Sequence, residues 1–312
     1  MKMSSLFCCL LLAVLIVACR NGEEITSSLS PEEKIRQDLI ACKDTTKEVR
    51  CAVHGVDGWI YLQESLLNLF VPWKDNSASF IAFSDTLKSM GITLVVAPVP
   101  DKLQISFNRY MPGVDYYEAA GYRAWVEKLR AGGVQVVDAM EAFRRQNPQN
   151  PMFEPYESHF TFQGRLTMAK EISKEISEIV KDLPKSQYGM KDLKVKGTGN
   201  LYHLVHDSYK SYTVKVGSVM TADGKRYVGN KNSPIVLIGD SNAGFGLQES
   251  SDVGSLITRE TGVECFTISK IGGGNGGAKF FKGKQSFLEG KKVLVWLFDG
   301  RELYGNFAMP EF

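Results

Sequence analysis

Pro234-Ile-Val-Leu-Ile-Gly-Asp-Ser-Asn-Ala-Gly-Phe-Gly246 is an apolar run that breaks into a glycine-rich turn. Aliphatic residues in succession, without polar alternation, mark a strand covered on both faces, as in a parallel sheet. From Leu247 to Thr261 the apolar residues fall at helical spacing. Strand, turn and helix in this order put Ser241 at the carboxyl end of a strand, where α/β sheets bind their ligands.

Both kinds of block recur along the chain. Ile92 to Ala97, Val134 to Val137, Val263 to Ile268 and Val293 to Phe298 are short and rich in β-branched residues, and they read as further buried strands. Tyr117 to Ala131 and Gly164 to Leu183 carry helical spacing. Strands alternating with helices predict an α/β fold, a mostly parallel sheet with helices on both faces. Residues 184–233 break the rhythm with lysines, glycines and a hairpin pattern, Tyr212 to Val219 turning at Ala222-Asp-Gly224 toward Val228. They read as a small β insertion in a single domain spanning 33–312.

The start of the chain reads as an export signal. Lys2 precedes an apolar stretch from Leu6 to Ala18 that is short for a bilayer span and ends at Cys19. Residues 1–18 resemble a bacterial lipoprotein signal peptide, with Cys19 the lipidated residue; an ordinary secretory signal is the alternative. Polar residues 19–32 form the expected tether. The net charge of +2 over 312 residues offers no polybasic surface for nucleic acid. Three cysteines remain beyond Cys19. Cys42 and Cys51 close a small loop and are expected to bridge in an oxidising compartment. Cys265 lies in an apolar run and reads as a buried, inert thiol.

Ser241 on an exposed turn is a candidate nucleophile, and a nucleophilic serine needs a base. The alternative is that Asp240 and Ser241 only cap a helix. Of the four histidines, His159 follows Glu157 by two residues, so in an extended segment both side chains share a face and the carboxylate can orient the imidazole. A structural pairing of these two is the competing reading. His203 and His206 sit three apart like a metal pair, but no clear third ligand accompanies them.

These residues resemble the SGNH hydrolase-like domain of bacterial exopolysaccharide O-acetyltransferases, the AlgJ/AlgX group, in which an Asp-x-His motif precedes a Gly-Asp-Ser type motif. Gly55-Val-Asp-Gly-Trp-Ile-Tyr-Leu62 resembles its opening strand signature, and Val95-Val-Ala-Pro-Val-Pro-Asp-Lys102 its first sheet strand and loop. Val295-Trp-Leu-Phe-Asp-Gly-Arg301 resembles its closing strand and arginine. Three positions depart from the pattern: Glu157 stands for aspartate, Phe160 for tryptophan, and Leu297 where a glutamate is usual.

The resemblance implies a flavodoxin-like, three-layer SGNH fold and a triad of Ser241, His159 and Glu157. An oxyanion site is expected from the Ser241 N–H with Gly273 and Asn275, in a glycine loop after the strand ending at Ile268. Lys102 and Arg301 follow strand ends and, with Asp240, are expected to contact the sugar. Trp59, Tyr61 and Trp296 are candidate stacking surfaces, with core packing favoured for both tryptophans. The implied activity is O-acetylation of an envelope polysaccharide through an acetyl-serine. A carbohydrate acetyl esterase and an inactive glycan-binding lipoprotein are the alternatives. The expected partners are a polysaccharide or oligosaccharide acceptor, a membrane-bound O-acyltransferase as acetyl donor and, through the anchor, the membrane. No cofactor or metal is called for, and the expected location is the bacterial cell envelope, on the periplasmic or the outer-membrane and cell-surface side.

Overall fold

The computed structural model describes residues 30–45, 51–114, 121–145, 149–206, 208–271, 274, 276, 278–281 and 285–309. The expected signal peptide, Cys19 and most of the tether lie outside the described residues. The chain divides between Gln37 and Asp38 into two units. Of the first, the described part is the opening of a helix, Pro31–Thr45. Its first turn carries Glu32 and Glu33, and Glu32 pairs with Arg36 one turn on at 2.7 Å, both favourable placements of charge on a helix.

The second unit holds all nine strands of the described chain. They are β1 (Ala52–His54), β2 (Ile60–Leu62), β3 (Thr93–Val99), β4 (Gln135–Val136), β5 (Tyr188–Gly197), β6 (Tyr212–Thr221), β7 (Ile235–Gly239), β8 (Cys265–Ser269) and β9 (Val293–Asp299). The five apolar runs read as strands form one sheet in the order β4-β3-β9-β7-β8, and every pairing in it is parallel. Central β9 is buried along its whole length, which explains a sequence without alternation.

Alternate residues divide the sheet into two faces. Leu94, Val96, Val236, Ile238, Leu294, Trp296 and Phe298 share a core with helices Ser77–Ser89 and Tyr122–Ala131. Trp296 is fully buried there, its ring 5.3 Å from that of Phe80. The intervening side chains, among them Val95, Leu237 and Val295, are equally buried and face the other way. Helices Phe162–Ile176 and Val253–Thr261 pack together, the first against β3 and the second against β8. Layers of helix, sheet and helix follow, as the family resemblance implied.

Two local expectations changed. The predicted helix from Leu247 is broken: Ser250 sits in the left-handed region at φ 52°, and Asp252 caps a new helix at Val253 by accepting the Ser255 N–H at 3.3 Å. The hairpin turn at 222–224 exists, with Gly224 at φ +77°, but the main partner of β6 is β5. The two form an antiparallel ribbon in register from Tyr188 with Thr221 to Gly197 with Tyr212.

Cys42 and Cys51 are bridged, with Cα atoms 6.0 Å apart. Closing so short a loop limits the unfolded chain. Replacing both cysteines by serine should lower unfolding free energy by about 2–3 kcal/mol, read as a lower urea midpoint.

Candidate active site

Strands β3, β9 and β7 lie side by side at the centre of the sheet, and each runs into an aspartate that caps the next turn. Asp101 accepts the Leu103 N–H at 2.7 Å, Asp240 that of Asn242 at 2.8 Å, and Asp299 that of Arg301 at 3.0 Å. The second oxygen of Asp240 accepts the Asp299 N–H at 3.0 Å, which ties the end of β7 to the end of β9. Arg301 lies among these carboxylates, paired with Asp299 at 2.8 Å and Glu64 at 3.7 Å. Burial pushes the Asp299 carboxyl well above the usual range; Arg301 opposes this, while Asp101 and Asp240 add to it.

Ser241 opens the short helix Ser241–Gly244, as its position after the strand predicts. The N–H of a first helical residue has no partner within the helix, which leaves that donor available. The turn is tight. A Cβ on Gly239 would lie 2.2 Å from the Leu297 carbonyl oxygen, and one on Gly244 2.6 Å from Ser269 Oγ. Ser269 Oγ in turn donates to the Asp240 carbonyl at 2.6 Å.

Glu157 and His159 meet as their spacing predicts. The carboxylate can only accept, so His159 Nδ1–H donates to Glu157 Oε1 at 2.7 Å and Nε2 is left as the basic atom. Glu157 is buried and also accepts the N–H groups of Ser158 at 3.0 Å, His159 at 3.4 Å and Asn200 at 3.2 Å. The methylene that glutamate adds over aspartate is accommodated, because the carboxylate folds back onto its own segment. Burial works against ionisation of Glu157, yet the hydrogen bond and charge of His159, with the Asn200 and His159 N–H groups, hold its carboxyl below the usual value.

Three contributors escaped sequence reading. Asn200 locks the segment from the insertion: its Oδ1 accepts the Ser158 N–H at 2.8 Å and its Nδ2 donates to Ser158 Oγ at 2.6 Å. Phe245, four residues past Ser241, stacks on the His159 ring with centroids 4.5 Å apart and planes 5° from parallel. Arg165 backs Phe245 at 5.1 Å from its ring while donating to the Ser251 carbonyl at 2.7 Å. The Phe245 stack joins His159 to the Ser241 turn, and among the described residues no hydrogen bond runs from Ser241 Oγ to the imidazole.

The residues expected to touch sugar are placed differently. Lys102 is only 6% exposed and donates to the carbonyls of Ile60 at 2.9 Å, Pro155 at 2.8 Å and Glu157 at 3.1 Å, so it faces inward, away from any cleft rim. Burial pulls its ammonium down to about 7, against the pull of Glu157, Asp101 and Glu154 toward the charged form. Asp240 is a cap with both oxygens engaged, and Arg301 is held in the ion network. Trp59, Tyr61 and Trp296 are all buried. Gly273 and Asn275 lie outside the described residues. Two further expectations concern residues away from this site. Cys265 is buried, and burial pushes its thiol well up. His206 stacks on Tyr202 and His203 on Tyr209.

A cavity of about 490 Å³ adjoins His159. Phe160, Phe162 and Phe245, with Val195, Val214 and Val216 of the β5–β6 ribbon, contribute apolar wall, and the charged Glu154, Glu249, Arg165, Lys196 and Lys215 also line it. Aromatic and aliphatic walls interspersed with charged groups suit a polar small-molecule ligand.

Comparisons with known proteins agree with this architecture. The family of the SGNH hydrolase-like domain of the acetyltransferase AlgX matches residues 52–299. The O-acetyltransferase domain of Pseudomonas putida AlgJ superposes with a TM-score of 0.64 at 16% identity, covering 83% of this chain and 94% of that one. Pseudomonas aeruginosa AlgX superposes at 0.63 with 20% identity, over 81% of this chain and 64% of that one. Bacillus cereus PatB1 superposes at 0.52 with 12% identity, over 82% and 98%. A comparison with curated protein sequences finds no match. At these identities the solved structures speak for the fold.

The lowered Glu157 pKa has a signed consequence. A carboxyl that ionises more easily folded than unfolded stabilises fully above about pH 4.5, its unperturbed value, and the contribution fades as pH falls through the lower folded value. Glu157→Gln should therefore destabilise by about 1–3 kcal/mol at pH 7, and the difference from the parent protein should shrink as pH falls below about 4.5, as read by urea titrations across that range.

Proposed function

Because the chain belongs to the SGNH hydrolase-like family of the acetyltransferase AlgX, we propose that it is a polysaccharide O-acetyltransferase acting through Ser241, His159 and Glu157. The observation that carries the reading is the buried Glu157 carboxylate holding His159 Nδ1–H at 2.7 Å, with the imidazole stacked on the turn that presents Ser241. That leaves Nε2 to work as the base.

In the first half-reaction His159 Nε2 takes the Ser241 Oγ proton as the oxygen attacks the acetyl carbonyl of the donor. The tetrahedral oxyanion is received by the Ser241 N–H. Its collapse expels the donor's leaving group, which takes the proton from His159, and leaves an acetyl-serine ester. A sugar hydroxyl then occupies the cavity beside His159, gives its proton to Nε2 and attacks the ester. Collapse of the second tetrahedral intermediate releases the acetylated sugar and returns the proton to Ser241 Oγ. Catalytic hydrogen bonds are commonly long without ligand and tighten in the substrate complex, so bound substrate is expected to draw Ser241 and His159 together.

The cellular setting extends the proposal. Lipidation at Cys19 anchors the chain to a membrane of the bacterial envelope, and a membrane-embedded acyltransferase supplies the acetyl group. The polysaccharide acceptor is the ligand of the cavity.

Ser241→Ala and His159→Ala should each cut hydrolysis of a generic acetyl ester by about a thousandfold or more. With an oligosaccharide acceptor present, mass spectrometry should find acetylated sugar with the parent protein alone. Hydrolysis that survives Ser241→Ala overturns the enzyme reading, and brisk acetate release with no acetylated sugar reassigns the chain as an esterase.

A further inference from the structure

We propose that Lys102 is a positioning residue for acyl transfer: its ammonium, seated on the carbonyls of Ile60, Pro155 and Glu157, holds the backbone that carries the Glu157–His159 hydrogen bond. The inference rests on Glu157, His159 and Ser241 forming the catalytic site.

An ammonium has three protons, and Lys102 Nζ has three carbonyl acceptors at 2.8 to 3.1 Å. Two of those carbonyls, of Pro155 and Glu157, lie in the segment that carries the acid. The third, of Ile60, belongs to β2, and the Ile60 N–H donates back to the Pro155 carbonyl at 3.0 Å. One side chain thus fastens the 155–157 segment to a strand far away in sequence. The fastening is dry, since Nζ lies over the rings of Trp59 at 5.1 Å and Tyr61 at 5.4 Å, and Lys102 is 6% exposed. Cation–π contact strengthens where water is excluded.

The position of Lys102 is itself set by the sheet. Asp101 ends the loop after β3 and caps the turn Lys102–Ile105 in a capping box with Gln104, which fixes the stem of the lysine. The charges facing it are Glu157 and Glu154 from the acid-bearing segment and Asp101 from its own turn. The cavity beside His159 is lined by Glu157 and Glu154, by Arg165 of the helix Phe162–Ile176, by Lys196 of β5, by Tyr212 and Lys215 of β6 and by Glu249. Lys102 touches neither His159 nor the cavity, so its effect on the reaction passes through Glu157.

The test pairs turnover with a signal that reads the hydrogen bond directly, the low-field proton resonance of His159 Nδ1–H. In Lys102→Met, which keeps an unbranched stem and loses the donors, kcat for ester hydrolysis should fall about ten- to a hundredfold with KM little changed, and the low-field line should broaden or vanish while unfolding stays cooperative. In Lys102→Arg, which keeps charge and donors, the line and most of kcat should return. Combined with Glu157→Gln, Lys102→Met should add little further loss in kcat, because both changes break one chain of contacts. A cooperatively folded Lys102→Met with its line and kcat intact overturns the proposal, as does a full additive loss in the double variant. Should Lys102→Met fail to fold, Lys102→Arg decides alone: a lost line with turnover retained, or lost turnover with the line retained, overturns it. The line is present in Ser241→Ala whether or not acyl transfer is the reaction, so failure of the functional reading and failure of this inference give different results.

Discussion

Parallel strands that end side by side bring their caps together, and here three caps are aspartates in a buried place. Their mutual repulsion requires a compensating charge, and Arg301 supplies it, bonded to Asp299 and close to Asp101 and Asp240. Each aspartate also aims the turn that follows. Asp101 sets the turn of Lys102, Asp240 that of Ser241, and Asp299 that of Arg301 itself. The guanidinium that neutralises the cluster is therefore positioned by one of the carboxylates it neutralises. Ser241 depends on this arrangement from below, and Glu157 with His159 depends on it through Lys102.

Much of the fold was legible because a parallel sheet leaves a simple trace. The runs at Ile235 and Val293 lack alternation because both faces of their strands are covered. β5 was less legible: Leu193 and Val195 do alternate with lysines, but alternation among charged residues also describes a solvated loop, and only the pairing with β6 distinguishes them. The break before Val253 turns on Ser250 adopting a left-handed backbone, a choice that serine rarely signals.

The site divides in the same way. The placement of Ser241 was readable from a strand end, and the contact of Glu157 with His159 from a spacing of two, since both signals are local. Lys102 was misread as a rim residue, because a lysine after a strand usually reaches solvent; its burial needs three carbonyls from segments remote in sequence. Asn200 and Phe245 carry no local chemistry that announces a role, and their contributions exist only once the insertion and the turn are folded against Glu157 and His159. Asp240 had two readings from the start; capping takes one of its oxygens, and the Asp299 N–H of the neighbouring strand end takes the other.

The β5–β6 ribbon contributes three valines to the wall beside His159 and is only two strands wide. A two-stranded ribbon is marginal by itself in water and holds its shape through the face it packs on the body of the protein. The space beside His159 is thus bordered on one side by the segment from Gln149 to Arg165 and the turn at Phe245, and on another by a ribbon with little stability of its own. Local opening is drawn from such elements first. The width of the cavity is then a thermally adjustable quantity: a small displacement of the ribbon widens it without disturbing the three capped strand ends, and the saccharide acceptor proposed above would enter in this way.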